Sequence, residues 1–181
     1  MTRKQQDNFQ RFLDSLPCTP EHECSYYTGR RARLRAFLFG ERLPPDYLDV
    51  LINRGFRRSG DFHYRTACPG CSDCLSYRLP LRTFRPSRSQ RKVLHRNSGI
   101  TRTVCSPPVP TFEKEELYLR YQYAQHFLKP VPGKEKPVFD RERNLEIMHQ
   151  QMYTGCGNGV ELELRERGVL RGFAVFDAGR N

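Results

Sequence analysis

The chain of 181 residues has no Trp, only three Met, and no apolar run approaching the roughly 20 residues that a membrane-spanning helix needs. Its opening, MTRKQQDNFQRFL, lacks the apolar core of a secretion signal, so the expected compartment is the cytosol. Thiols stay reduced there, and an odd set of seven cysteines reads as metal ligands or reactive groups rather than as a disulfide framework. The sequence also lacks GxSxG, a P-loop, a dinucleotide fingerprint and HExxH. An enzyme made of these residues has to position a substrate that arrives already activated, without passing through a covalent intermediate.

Acidic side chains are scarce in one segment only. Residues 28–103 hold 17 basic and 5 acidic side chains, a net charge of +12, whereas residues 1–27 carry −1 and residues 104–181 are neutral. The whole +11 excess therefore lies in one stretch. Sixteen of its seventeen cations are Arg, whose planar fork suits bidentate phosphate contacts. A field of that kind reads as a surface for a polyanion, with nucleic acid first among the candidates.

The same stretch holds YRTACPGCSDCLSYR, in which Cys68, Cys71 and Cys74 stand three residues apart. Two-residue spacers let successive turns aim thiolates at one ion, in zinc and in iron–sulfur sites alike. A closed site needs a fourth ligand, and Cys18, Cys24, Cys105, Cys156 and His63 are all candidates. Phe62–Thr66 and 76–84 read as strands, which would put the three cysteines in the turn between them.

Other elements follow from local signals. PPDYLDVLINRG reads as a helix entered through Pro44 and Pro45, with Leu48, Leu51 and Ile52 on its apolar face and Gly55 after its end. In FRPSRSQRKVLHRNSG, Ser87 and Gln90 form a capping-box pattern, and Arg88, Arg91, Lys92, His95 and Arg96 share one face. With no acid among them, that stripe repels itself unless an anion lies on it, and RNA backbone is the expected partner. VCSPPVPT reads as a linker between domains. Beyond it, Thr111 suits an N-cap, Glu113, Glu115 and Glu116 suit the first turn, and Leu117, Tyr121, Ala124 and Phe127 are the expected core stripe. KPVPGKEKPVFDRER is a polar loop. VELELRER, with Val160, Leu162 and Leu164 expected inward, turns at Gly168 into VLRGFAVFD to make a hairpin.

Three segments in order, CSYYTGRRAR, GFRRSGDFHYRTACPGCSDCLSYR and FRPSRSQRKVLHRN, resemble the N-terminal domain of the aminoacyl-tRNA–protein transferases. The likeness is to the bacterial branch, the aspartate/glutamate leucyltransferases, which are related to the eukaryotic arginyltransferases. LYLRYQYAQHF and GVLRGFAVFD resemble the second half of that family. The resemblance implies an α+β fold: an N-terminal cysteine-bearing domain, residues 1–104, followed by an incomplete acetyltransferase-like α/β domain, residues 105–181. Family members run several tens of residues further, so the chain reads as C-terminally truncated relative to them.

The function implied is transfer of an amino acid, leucine in the bacterial branch, from its charged tRNA to the N-terminal Asp or Glu of a protein in an N-degron pathway. The alternatives are arginyl transfer or a non-catalytic, metal-containing module that binds tRNA. The resemblance puts Cys24 with Cys68, Cys71 and Cys74 as ligands of an iron–sulfur cluster or zinc, with no nucleotide cofactor. An acidic N-terminal residue calls for a bidentate Arg, and Arg57 and Arg58 are the expected pair. Tyr26 and Tyr64 flank the cysteines and are candidates to stack on the terminal adenosine of the tRNA.

Overall fold

The computed structural model describes residues 1–40, 43–77, 79–128, 138–155 and 159–180. The protein is α+β, with two three-stranded antiparallel sheets, each covered on one side by helices.

The chain opens with α1 (Arg3–Ser15), whose N-cap Thr2 accepts from the Gln5 N–H while the Gln5 side chain accepts from Thr2 N–H. A short ladder of β1 (His22–Glu23) and β2 (Arg31–Ala32) precedes β3 (Leu34–Leu38) and α2 (Pro45–Asn53). Then come β4 (Arg57–Ser59) and β5 (Phe62–Thr66). Helices α1 and α2 face each other through Leu13, Leu16, Leu48, Val50 and Leu51, which form the first core together with Leu43 and Phe56. The buried stripe of α2 includes Val50 rather than the expected Ile52, which is exposed. It is set by Tyr47, Val50 and Leu51, at i, i+3 and i+4, turned toward α1 and the first sheet.

That sheet has the order β3-β5-β4, and β5 is the expected Phe62–Thr66 strand. The expected strand over 76–84 does not form: the described residues there are irregular. The physical reason lies elsewhere in the chain. Both edges of β5 are taken, by β3 and by β4, so no ladder position is open to a strand that follows it. The three cysteines therefore lie in an irregular run and not in a hairpin turn.

The helix α3 (Arg88–Arg96) has the capping box read from Ser87 and Gln90, with both reciprocal hydrogen bonds present. After it, β6 (Thr101–Cys105) crosses residue 104 and pairs with β7 (Gly159–Glu166), which pairs in turn with β8 (Val169–Asp177). Between β6 and β7 run α4 (Phe112–Gln122) and α5 (Arg141–Met148), each continued by one π-helical turn, at Tyr123–Phe127 and at His149–Tyr153. The loop read as KPVPGKEKPVFDRER lies largely outside the described residues, as does Cys156. Arg167 and Gly168 both take positive φ, 50° and 82°, in a two-residue turn whose twist matches the β7–β8 hairpin.

Two expectations for this half are reversed. On β7, Glu161 and Glu163 are buried, while Val160, Leu162 and Leu164 are only partly so. On α4 the buried residues are Lys114, Tyr118 and Leu119, and Tyr121 and Ala124 are exposed. The two reversals have one cause. The Lys114 ammonium pairs with the Glu161 carboxylate and lies 3.1 Å from Glu163 Oε1, so α4 docks on the carboxylate face of the hairpin. Thr111 occupies the N-cap position of α4 without a side-chain hydrogen bond; Glu113 instead accepts the Leu170 N–H and an Arg165 N–H.

Candidate functional site

The basic helix stands apart from both cores. No residue of α3 is buried, and even Val93 and Leu94 are more than half exposed. Arg88, Arg91, Lys92, His95 and Arg96 line one surface concavity of about 460 Å³. None of the five is ion-paired among the described residues; Arg91 Nη1 donates to the Pro86 carbonyl at 2.6 Å. An isolated helix of nine residues is marginal in water, and like charges one turn apart weaken it further. The capping box offsets part of that.

The two halves meet where the β4–β5 turn touches the π turn after α5. Gly60 N–H donates to Gln151 O at 3.1 Å, and a methyl group at Gly60 would stand 2.5 Å from Gln150 O. Arg58 closes the junction. Its Nε is 2.7 Å from Asp177 Oδ2 at the end of β8, and its Nη1 donates to Gly60 O and Thr154 O at 2.9 and 3.0 Å. Beside this pair opens a cavity of about 300 Å³ lined by Leu48, Phe56, Arg57, Arg58, His63 and Asp177, among others.

The expected substrate-binding residues therefore part company. Arg58 is committed to Asp177 and two carbonyls. Arg57 is exposed, lies 5.4 Å from the centre of the Tyr64 ring, and has no carboxylate partner among the described residues. His63 is buried against Phe37, with ring centres 5.2 Å apart. Burial first, and then the Arg58 charge, hold its pKa below the ordinary value, which keeps it neutral. Tyr26 is largely exposed on the loop after Cys24, some way along the chain from Tyr64 on β5.

Cys24, Cys68, Cys71 and Cys74 are free, half-buried thiols on two loops that touch. Cys24 N–H donates to Arg30 O, and the Arg30 guanidinium reaches Asp73 Oδ2 at 3.2 Å and Cys71 Sγ at 3.8 Å. Cys68 Sγ lies 3.8 Å from Arg33 O. The donor chemistry of four thiols suits a metal. Among the described residues no three of these sulfurs lie within 4.8 Å of one another, so a bound metal would have to draw them together. Among the described residues, the one group of three potential ligands within 4.8 Å of one another is Cys105, Glu161 and Glu163. There the Lys114 ammonium already supplies the cation.

Two features escaped sequence reading: the Arg58–Asp177 pair and the buried Lys114–Glu161–Glu163 cluster. The second left a trace. VELELRER alternates acids as regularly as it alternates apolar residues, and Lys114 is the one cation in the first turn of an otherwise acidic helix start.

Comparison with known proteins gives these sites a setting. Residues 22–92 match the family model described as "Arginine-tRNA-protein transferase, N terminus". That span holds all four cysteines, Arg57 and Arg58, and the first half of α3. An aspartate/glutamate leucyltransferase of Leptospira interrogans is 38% identical over 172 residues, covering 95% of this chain and 64% of the relative. Enzymes of the same name from Halorhodospira halophila and Chromobacterium violaceum are 44% and 38% identical over 105 and 108 residues, 58% and 60% of this chain. Each of these two alignments covers 44% of the relative. The chain thus spans less than two thirds of the length of these relatives.

Proposed function

The chain belongs to the aminoacyl-tRNA–protein transferase family, and from that premise we propose that it transfers leucine from leucyl-tRNA to the N-terminal Asp or Glu of proteins. The observation that carries this reading is the unpacked basic face of α3, which forms no ion pair among the described residues. A polyanionic donor such as tRNA fits that face, and an ester-linked amino acid is a substrate already activated for attack by an amine.

The acceptor end finds its chemistry at the junction of the two halves. An acidic N-terminal residue brings a carboxylate, for which Arg57 is available beside the cavity, with Arg58 held at its edge by Asp177. Tyr64 under Arg57 keeps that guanidinium aimed, and Tyr26 is free to stack on a base. Cys24, Cys68, Cys71 and Cys74 would hold an iron–sulfur cluster or zinc, which would fasten the loop after Cys24 to the loop after β5. The strands β6, β7 and β8 with α4 and α5 are read as the opening of an acetyltransferase-like sheet. The setting is the cytosol, marking proteins for degradation; no helix among the described residues is long and apolar enough to cross a membrane.

The test is the appearance of leucine from labelled leucyl-tRNA on a peptide that begins with Glu. Its absence from a peptide that begins with Ala is required as well.

A further inference from the structure

A second cavity, of about 380 Å³, lies between α4, the π turn after α5, and β8. Its walls are apolar and aromatic: Leu117, Tyr118, Met152 and Phe173, with Tyr118 almost wholly buried. Burial also pushes the Tyr118 phenol up from its ordinary pKa, so it remains a neutral wall. The rim is polar, made by Gln122, Gln151 and Arg171. Among the described residues, no Asp or Glu lines this cavity.

Three departures from regular backbone border it. Helix α4 widens into a π turn one residue beyond Gln122, α5 does so from His149 through Tyr153, and the β7–β8 ladder is bulged at Leu164/Arg165, beside Arg171 and Gly172. The two helices each end in a widened π turn, and the bulge adds one residue, Arg171, to β8 opposite Leu164/Arg165. Such insertions concentrate at binding sites.

The cavity accepts a ligand that is apolar at its inner end and polar at its outer end. An aminoacyl ester of adenosine has that form when its side chain is a hydrocarbon. It is a poor site for an acidic N-terminus, because the Arg171 guanidinium on its rim is paired with Glu166 at 3.0 Å. It is a worse one for a guanidinium side chain, which would be taken out of water with no carboxylate among the described lining residues and with the rim carboxylate of Glu166 already held by Arg171.

We propose that this cavity receives the amino-acid side chain of the charged tRNA, and that its acid-free apolar lining selects an uncharged aliphatic side chain, such as that of leucine, over that of arginine. This rests on the transfer reaction proposed above. It names the part of the chain that distinguishes the leucyl from the arginyl donor, well outside the stretch of residues 22–92 matched by the family model.

The chain has no Trp, so Tyr121→Trp at the exposed mouth gives a single fluorescent reporter. The probes are stable 3′-amino-3′-deoxyadenosine amides of leucine, glycine and arginine, titrated into the full chain. The leucyl amide is expected to bind at least about tenfold more tightly than the glycyl or arginyl amide, as a filled apolar pocket requires. Gln151→Glu, an isosteric change at the exposed rim, is expected to tighten the arginyl amide and narrow that ratio. Met152→Phe, which fills the pocket, is expected to weaken the leucyl amide and leave the glycyl amide unchanged.

Equal affinities for the three amides, with neither variant altering them, would overturn the proposal. Binding of uncharged tRNA is measured alongside. If the chain binds tRNA and transfers leucine while the amides show no preference, this pocket assignment is wrong and the transferase reading stands. If it binds neither tRNA nor any amide, both fall.

Discussion

Arg58 and Asp177, 119 residues apart in sequence, meet with Nε 2.7 Å from Oδ2 where the first sheet touches the end of the second. Only about 10% of the Arg58 side chain is exposed, so the pair is largely withdrawn from water, and the same guanidinium holds the carbonyls of Gly60 and Thr154. It acts as a tie between the halves, whereas its neighbour Arg57 has no carboxylate partner among the described residues.

Arg58→Ala strands the Asp177 carboxylate and two carbonyls, and we expect it to lower unfolding stability by about 3 kcal/mol. Arg57→Ala should change stability by less than about 0.5 kcal/mol, since that side chain is exposed and forms no ion pair among the described residues. Urea titration of the two variants measures this difference. Transfer to Glu- and Asp-initiated peptides should fall in the Arg57 variant, whose stability is intact.

The Lys114 cluster predicts a pH profile. Burial works against the charges, but Arg165 and Lys114 outweigh it and hold Glu163 below the ordinary carboxylate value of 4.5. Likewise Glu161 and Glu163 outweigh burial and hold Lys114 above 10.5. A depressed carboxylate contributes stability that is present above 4.5 and lost as pH falls through its folded value. A raised ammonium contributes stability that is present below 10.5 and lost as pH rises through its folded value. Stability from this cluster is therefore flat between those limits and falls outside them. Lys114→Met should cost about 3 kcal/mol at neutral pH and remove the alkaline limb, as read by denaturation between pH 3 and 11.

His63 adds a separate step. It is neutral in the fold and its pKa lies below 6.5, so the unfolded chain takes up the proton first. Stability should fall as pH drops below about 6.5, and His63→Phe, which keeps the stack on Phe37, should flatten that part of the curve.

Much of this architecture follows from neighbours in sequence. Ser87 and Gln90 are three residues apart, so the α3 capping box is legible without the fold, and so is the α2 entrance at Pro44 and Pro45. The stretch over 76–84 has strand character but no free edge beside β5, a fact supplied by β3 and β4 from elsewhere in the chain. The alternation of β7 gives its period and leaves open which face is inside. That choice is made by Lys114, some fifty residues earlier. At the candidate site, the cationic face of α3 is wholly local and was legible. The commitment of Arg58 to Asp177 depends on packing between halves and was not.

Replacing Arg88, Arg91 and Arg96 one at a time by Gln should leave thermal stability unchanged, because no residue of α3 is buried. Each replacement should weaken tRNA binding and reduce the slope of log affinity against log salt by about 0.7 to 0.9. Filter binding across a salt series reads both effects.

Serine substitution of Cys24, Cys68, Cys71 or Cys74 in protein purified without oxygen should each abolish stoichiometric zinc or iron, while Cys18→Ser should leave it. Elemental analysis with absorption spectroscopy identifies the metal and checks the ligand set.

The most direct measurement pairs donors with acceptors. The full chain is incubated with tRNA charged with labelled leucine or labelled arginine and with peptides that begin with Glu, Asp or Ala. The expected result is leucine on the Glu and Asp peptides, none on the Ala peptide, and arginine on none of them. Folded protein that binds leucyl-tRNA and labels no peptide would contradict the account.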